Sequence, residues 1–261
     1  MRIHHLNCGS MTPPAMSQEI VCHVLLLETG EGLVLVDSGL GRKDFAHPKR
    51  MGPARFLLRP VRDDARTAAA QIEAMGHSTA DVTHIVLTHM DFDHIGGIAD
   101  FPDAVIHTTA AEYDWAVGHP DLVSKQRYSA RQWDHSPRFE THAGPGDPWI
   151  HGLSGVPVLP GVTYIPMPGH TKGHAAVAVE AGEGLLVHAG DAVFDASSYA
   201  ANTPSGSPLT KIGMFRAFEK VMAYDCKRVA DNHATLTHLN GIEGVTVVNV
   251  HDKRILDDVI S

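Results

Sequence analysis

The pattern of apolar and polar positions predicts short strands in the first part of the chain. Val21 to Glu28, the turn Gly30-Glu31-Gly32 and Leu33 to Val36 predict a hairpin, so the sheet is at least partly antiparallel. Alanine-rich residues from Ala65 to Met75 favour a helix that stops at a glycine. The next apolar run, Ile85-Val86-Leu87, predicts a buried strand.

The same two periodicities predict further elements in the rest of the chain. The predicted strands are Ala104 to His107, Val162 to Pro166, Ala175 to Glu180, Leu185 to His188 and Lys227 to Ala230, followed by a β-rich tail from Gly244 to His251. The predicted helices are Ala110 to Val117 and the amphipathic segment Pro208 to Tyr224.

Two irregular segments interrupt these elements. Residues Gly41 to Asp64 carry large apolar side chains, the most conspicuous being Met51, Phe56, Leu57 and Leu58. Such a segment is either a lid over a site or a connector tucked under the domain, and both interpretations stay open. Residues His119 to Gly155 are either an insertion that shapes one wall of a pocket or a plain surface excursion.

Potential metal ligands follow the strand Ile85-Val86-Leu87 within six positions: His89, Asp91, Asp93 and His94. Two carboxylates packed against two imidazoles near a core are costly unless a cation lies among them. Residues two apart on an extended segment point to the same side, so His89 and Asp91 can face one ion. The alternative is a polar loop in which Asp93 caps a helix.

Later strands also end at ligand-type residues. His170 lies in Pro168-Gly169-His170-Thr171-Lys172-Gly173-His174, Asp191 follows the strand ending at His188, and His233 follows Lys227 to Ala230. His174 would point away from the rim if a strand begins at Ala175, so we interpret it as a structural residue that supports the ligands.

Composition narrows the class of protein. The chain has 261 residues, 43% of them apolar, and no linker or change of composition, which indicates a single domain spanning residues 1–261. The net charge of −9 disfavours a nucleic-acid partner, and 19 histidines favour a metal site. Three widely spaced cysteines fit no disulfide framework. Neither a secretory h-region nor a membrane-span-length run is present, so we expect a cytoplasmic protein without a membrane partner.

The order and spacing of these motifs resemble the metallo-β-lactamase fold superfamily over nearly the whole chain, from Val36-Asp37-Ser38-Gly39 to His233. The resemblance implies an α/β fold, a four-layer αβ/βα sandwich of two mixed sheets flanked by helices. It implies two divalent metal ions. By motif position the first is held by His89, Asp91 and His170, the second by Asp93, His94 and His233, with Asp191 bridging them and a metal-bridging hydroxide as the nucleophile.

One position departs from the superfamily pattern. The motif H-x-H-x-D-H reads H-x-D-x-D-H here, with Asp91 in place of a histidine. A carboxylate oxygen has a similar reach, so Asp91 is expected to remain a ligand. Zinc is the expected metal. The added negative charge favours harder ions, so iron or manganese can replace zinc at one position.

Within the superfamily the chain is most similar to quorum-quenching N-acyl-homoserine lactonases, through the hairpin Leu26 to Gly39 and the run Asp93-His94-Ile95-Gly96-Gly97. The implied substrate is a small lactone or ester with an apolar acyl part. Those lactonases carry a catalytic tyrosine where this chain has Phe194, and Tyr199 lies near enough in sequence to substitute for it. The expected catalytic residues are therefore Asp93 and Tyr199. A homodimer is left open.

Other activities of the same fold are alternatives. A glyoxalase II-like thioesterase lacks support because no additional substrate domain follows His233, and a phosphodiesterase acting on RNA is disfavoured by the acidic charge. A β-lactamase would be expected to carry an export signal. The non-enzyme alternative is a catalytically inert metal-dependent sensor, for which Asp91 would be a sign of decay.

Overall fold

The computed structural model describes residues 1–14, 16, 18–182 and 184–260, and their strands form two mixed sheets. The first has the order β4-β1-β2-β3-β5-β6-β7, where the strands are β1 (Arg2–Met11), β2 (Ile20–Thr29), β3 (Gly32–Val36), β4 (Pro60–Val61), β5 (Val82–Val86), β6 (Val105–Thr109) and β7 (Arg138–His142). The second has the order β13-β12-β11-β10-β9-β8, where they are β8 (Asp147–Pro148), β9 (Ser154–Leu159), β10 (Val162–Pro166), β11 (Ala175–Ala181), β12 (Gly184–His188) and β13 (Val245–Val248).

Helices flank both sheets. They are α1 (Arg42–Ala46), α2 (Arg55–Leu58), α3 (Ala68–Ala74), α4 (Phe92–Ile95), α5 (Ala110–Tyr113), α6 (Leu122–Arg127), α7 (Gly213–Met222), α8 (Cys226–Asn240) and α9 (Lys253–Ile260). Among the described residues, no helix has the length and apolar character that a membrane crossing requires. The cytoplasmic location stays a prediction.

Alternation along the strands explains why the sheets pack face to face. In β2, Leu25 and Leu27 point into the apolar core shared with the second sheet, and Leu26 points to the opposite face, where α3 packs with Ile72. On the far side of the second sheet, Leu236 of α8 belongs to the same apolar cluster as the strands of that sheet. The layers are therefore helix, sheet, sheet and helix, which confirms the predicted four-layer sandwich.

Local predictions are confirmed where the pattern was strong. The hairpin is formed by β2 and β3, and the alanine-rich helix is α3. The prediction of a strand at Lys227 to Ala230 is wrong, because these residues lie in the first turns of α8, whose N-terminus is capped by the side chain of Asp225. The segment His119 to Gly155 is less irregular than predicted, since it holds α6 and β7.

The strand directions bring several carboxyl ends to one edge of the sandwich. In the first sheet β3 and β5 are parallel, and in the second sheet β12 and β13 are parallel. Strand β10 runs in the same direction as β12, because both are antiparallel to β11. Residues that follow these strands therefore meet at the same edge, as in other α/β sites.

Candidate metal centre

Buried histidines and aspartates meet where these strands end. His89 follows β5, Asp91 precedes the single turn of α4, and Asp93 and His94 lie within that turn. The second sheet contributes one residue from the loop after each of β10, β12 and β13: His170, Asp191 and His251. All seven side chains are buried.

These side chains form two groups that Asp191 connects. The ligand atoms of the first group lie within 4.8 Å of one another, and the group consists of His89, Asp91, His170 and Asp191. The second group, Asp93, His94 and His251, meets the same limit. Asp191 reaches both groups, because Oδ2 is 3.2 Å from His170 Nε2 and Oδ1 is 3.1 Å from His251 Nε2. The structure thus brings together six of the residues predicted from the sequence.

The expectation for His233 must be corrected. His233 lies on α8, outside both groups, and its Nε2 is 3.1 Å from an oxygen of Glu219. Its place beside Asp93 and His94 is taken by His251, because β13 rather than residues 227–230 is the strand that pairs with β12. The sequence carried a signal for this residue, since Val245 to Val248 is followed within three positions by His251.

The expectation for Tyr199 is also wrong. Its hydroxyl donates to the backbone oxygen of Val247 at 3.3 Å, and its ring is buried in the apolar cluster around the second sheet. Phe194 instead faces the site, with its ring centroid 4.9 Å from that of His251 and 5.7 Å from that of His170. The position at which the resembling lactonases have a tyrosine therefore carries an apolar ring here.

Asp37 orients His94. One carboxylate oxygen of Asp37 is 2.8 Å from His94 Nδ1, and the other accepts the backbone N–H of Thr88 at 2.8 Å. Asp37 has a φ of 58°, a left-handed conformation that turns its carboxylate toward both partners. Because Nδ1 donates to Asp37, the lone pair of His94 Nε2 is left free for the site.

Hydrogen bonds of His174 and His251 hold the ligands that follow the strands of the second sheet in position. His174 Nε2 accepts the backbone N–H of Asp191 at 2.9 Å, while its Nδ1 is 3.1 Å from the oxygen of Met167. His174 therefore positions Asp191 from behind, in agreement with the structural role expected from the sequence. His251 Nδ1 donates to the oxygen of Val21 at 2.8 Å, which leaves its Nε2 facing Asp191.

Glu112, which the sequence gave no reason to select, joins the loops that carry the ligands. One of its oxygens accepts the backbone N–H of Met90 at 2.9 Å and the hydroxyl of Tyr128 at 2.7 Å. The other accepts the hydroxyl of Thr171 at 2.6 Å and the N–H of Gly173 at 3.2 Å. This buried carboxylate thus holds the loops on either side of the first group in register.

Electrostatics at the site favour a bound cation. Burial alone would raise the pKa of Asp191, but the neighbouring imidazoles of His251 and His94 hold it well below its ordinary value. Burial would likewise lower the pKa of His94, but Asp191 and Asp37 raise it well above its ordinary value. The carboxylates thus create a strongly negative environment that holds positive charge, either on protonated imidazoles or, when these are neutral, on a bound cation.

The second group fits a divalent metal ion. His94 Nε2 is buried, has no hydrogen-bond partner within the described part of the chain, and lies 3.3 Å from Asp191 Oδ1. Two imidazole nitrogens and carboxylate oxygens are ligands that zinc and similar ions accept. Asp93, His94, His251 and Asp191 would hold such an ion.

The first group fits less well, because a guanidinium already lies within it. Arg127 donates from Nε to Asp91 Oδ1 at 2.7 Å and from Nη2 to Asp91 Oδ2 at 2.5 Å. The same Nη2 is 2.6 Å from His170 Nε2. Two imidazole nitrogens of this group, His89 Nε2 and His170 Nδ1, have no hydrogen-bond partner among residues that the structure describes.

A cavity of about 650 Å³ opens onto both groups. Asp91, Asp93, His170, Asp191 and His251 line its polar end. Its other walls are mostly apolar and come from the segment Gly41 to Asp64, from α6 and from α7, with lining residues Pro53, Ala54, Leu57, Leu58, Val123, Phe218, Val221 and Met222. Both irregular segments of the sequence therefore contribute walls to this cavity.

Comparison with known proteins places this geometry in a family. The model of the metallo-beta-lactamase superfamily matches residues 18–230. A probable metallo-hydrolase of Mycobacterium tuberculosis is 47% identical over 243 residues, which are 92% of this chain and 76% of that protein. An N-acyl homoserine lactonase of Bacillus cereus is 25% identical over 188 residues, 69% of this chain and 66% of that protein.

Among solved structures, an N-acyl homoserine lactone hydrolase with the product N-hexanoyl-L-homoserine bound at its catalytic metal center has a TM-score of 0.70. It is 19% identical, and the alignment covers 98% of this chain and 95% of that one, a likeness that concerns the fold. From the family match, the relative in Mycobacterium and the His/Asp cluster together, we conclude that this chain is a metallo-hydrolase belonging to the metallo-beta-lactamase superfamily.

Proposed function

We propose that this protein is a metal-dependent hydrolase of lactones or esters that carry an apolar acyl part, with N-acyl homoserine lactones as the first candidates. The observation that carries the proposal is the cavity of about 650 Å³, whose apolar walls lead to the buried His/Asp cluster. A volume of this size accommodates a small molecule with a medium-length acyl chain. We propose zinc as the metal.

The two ends of the cavity would have different roles: the His/Asp cluster would hold the metal and the apolar walls would bind the acyl chain. A divalent ion, when bound, supplies a Lewis acid and lowers the pKa of water. Leu57, Val123 and Val221 would bury the acyl chain, which orients the reacting carbonyl toward the cluster. Asp93 lies at the cluster end of the cavity, where we propose that its carboxylate contributes to catalysis besides binding metal.

The relatives support the substrate class. The lactonase of Bacillus cereus shares 25% identity, and the solved lactone hydrolase holds an acylated product at its metal center. Phe194 indicates that ring opening would be assisted differently here than in the resembling lactonases, because this position supplies no tyrosine hydroxyl. Linear esters, which need no such ring opening, therefore belong in the same proposal.

Hydrolysis rates on a panel of small molecules test the proposal. The panel contains N-acyl homoserine lactones and p-nitrophenyl esters of four to twelve carbons, an acyl thioester and bis-p-nitrophenyl phosphate. We expect kcat/KM to be highest for lactones or esters and to rise with chain length.

The other outcomes point to the alternatives. Preference for the thioester would favour a glyoxalase II-like activity, and preference for the phosphodiester would favour a phosphodiesterase of this fold. Metal-loaded protein that is inert on every compound would overturn the proposal in favour of a sensor.

A further inference from the structure

Arg127 is the cation that the first group of ligands already holds. Its guanidinium binds both oxygens of Asp91 and also contacts His170 Nε2. Both residues are ligands that the superfamily pattern assigns to the first metal. A guanidinium has only donors, so His170 Nε2 must use its lone pair as the acceptor of this contact.

The guanidinium is fixed in this position from several sides. Nη1 donates to the backbone oxygen of Met222 at 2.8 Å, which ties α6 to the end of α7. The neighbouring Tyr128 is buried and donates to Glu112, which also holds the backbone of Met90. The Arg127 side chain is itself nearly buried, with 12% of its surface exposed. Arg127 is therefore part of the site's framework rather than a mobile surface arginine.

A metal ion at the first group would compete with this arrangement. It would need the single lone pair of His170 Nε2, which the guanidinium occupies, and it would have to share the oxygens of Asp91 with the guanidinium. It would also lie close to a positive charge that does not deprotonate in proteins, and in a buried site that repulsion is weakly screened. The second group has no such competitor, because no arginine or lysine lies within salt-bridge distance of Asp93 among the described residues.

We infer that Arg127 takes the place of the first metal, so that the chain binds a single divalent ion through Asp93, His94, His251 and Asp191. This reverses the expectation of two metals from the superfamily pattern and explains why the histidine of that pattern is Asp91 here. An aspartate pairs with a guanidinium in bidentate fashion, whereas a neutral histidine cannot. Two carboxylates, Asp93 and Asp191, are left to balance the charge of one divalent ion.

Metal content measured by elemental analysis after loading with zinc and gel filtration tests the inference. The wild-type chain should retain one ion. His89→Ala, in the first group, should also retain one, and Asp93→Ala, in the second group, should retain none. The double variant Asp91→His with Arg127→Met, which restores the superfamily pattern and removes the guanidinium, should retain two. Circular dichroism and thermal melting confirm that each variant is folded.

Each other outcome overturns the inference. Two ions in the wild type, or loss of the ion in His89→Ala, would show that the first group binds a metal in spite of Arg127. No ion in the wild type would show that the second group does not bind one. A folded double variant that retains one ion would show that the guanidinium is not what excludes the second. The inference refines the proposed function, and the two fail separately. One ion on a chain inert toward every substrate overturns only the function, and two ions on an active lactonase overturn only the inference.

Discussion

His94 Nδ1 lies 2.8 Å from a carboxylate oxygen of Asp37, a residue 57 positions earlier in the chain. The contact joins the end of β3 to the ligand-bearing turn after β5, and both partners are buried. It selects the tautomer of His94 whose Nε2 faces the candidate metal. The motif Asp37-Ser38-Gly39 is thus part of the centre although it contributes no ligand.

Replacing Asp37 with asparagine should weaken metal binding. Asp37 accepts hydrogen bonds from both His94 and Thr88 on separate oxygens, and an amide has only one oxygen. Loss of such a supporting contact lowers metal affinity by about 10–100-fold. Competition with a fluorescent zinc chelator measures the change. Asp64→Asn, an exposed aspartate paired with Arg62, is the matched control, and equal affinities of the two variants would contradict the role of Asp37.

The assignment of the last histidine can be tested by a pair of variants. His251→Asn removes a ring that contacts Asp93 and Asp191, so metal affinity should fall by more than the roughly 10–100-fold that loss of a supporting contact causes, and hydrolysis should fall with it. His233→Asn, on the flank of α8 beside Glu219, should keep both. Zinc titration and kcat/KM are measured on the same preparations. Loss of zinc affinity in His233→Asn but not in His251→Asn would show that His233 is the ligand, as the sequence predicted.

Tyr199 and Phe194 form a second pair. Tyr199→Phe removes one hydrogen bond to the backbone of Val247, so the free energy of unfolding should fall by about 1 kcal/mol and kcat/KM should stay unchanged. Phe194→Tyr places a hydroxyl beside the rings of His170 and His251 and should raise kcat on lactones, because a donor near the reacting carbonyl stabilises an oxyanion. A large loss of kcat in Tyr199→Phe would contradict this assignment.

The cavity wall is tested through acyl-chain length. Leu57 lines the cavity and is 48% exposed, so Leu57→Ser should fold normally and lose apolar contact with long chains. We expect KM for a ten-carbon substrate to rise by about fivefold, which corresponds to roughly 1 kcal/mol of lost burial, with no change for a four-carbon one. Leu122→Ser is the control, because Leu122 is 79% exposed and lies outside the lining of this cavity. Equal effects in both variants would remove Leu57 from the binding surface.

The sequence predicted the ligands that lie inside compact motifs. His89, Asp91, Asp93 and His94 are set by a strand followed by one helical turn, so local pattern and spacing suffice to find them. His251 was missed for a local reason as well. The short apolar run near Val229 can begin a helix or a strand, and the choice depends on the Asp225 cap and on packing against the second sheet.

Long-range contacts were beyond prediction from the sequence alone. Arg127 meets Asp91 across 36 positions, and nothing in the irregular segment around Arg127 marks it as different from other arginines. The same is true of Glu112, whose partners Met90 and Thr171 come from separate loops. Such residues are selected by the three-dimensional packing of loops, which a periodic pattern does not encode.

Acid stability should depend on His107, which lies on β6 within a chain of three imidazoles. Its Nε2 is 2.8 Å from His84 Nδ1, and its Nδ1 is 3.0 Å from His142 Nε2. Burial, and then the neighbouring His84 and His142, lower the pKa of His107 from 6.5 to about 4. His107 in the folded state therefore binds a proton less readily than in the unfolded state. The contribution of neutral His107 to the free energy of unfolding is fully present above pH 6.5 and is lost as the pH falls toward 4.

His107→Gln keeps hydrogen-bonding groups on the side chain but does not titrate, so it should remove this part of the acid sensitivity. Allowing for partial screening by solvent, we expect the wild type to lose about 1–2 kcal/mol more than the variant between pH 7 and pH 4. Urea unfolding at a series of pH values measures the difference. Glu31→Gln, in the exposed turn between β2 and β3, serves as the control for a surface change. Parallel curves for wild type and His107→Gln would show that the proton is taken up elsewhere.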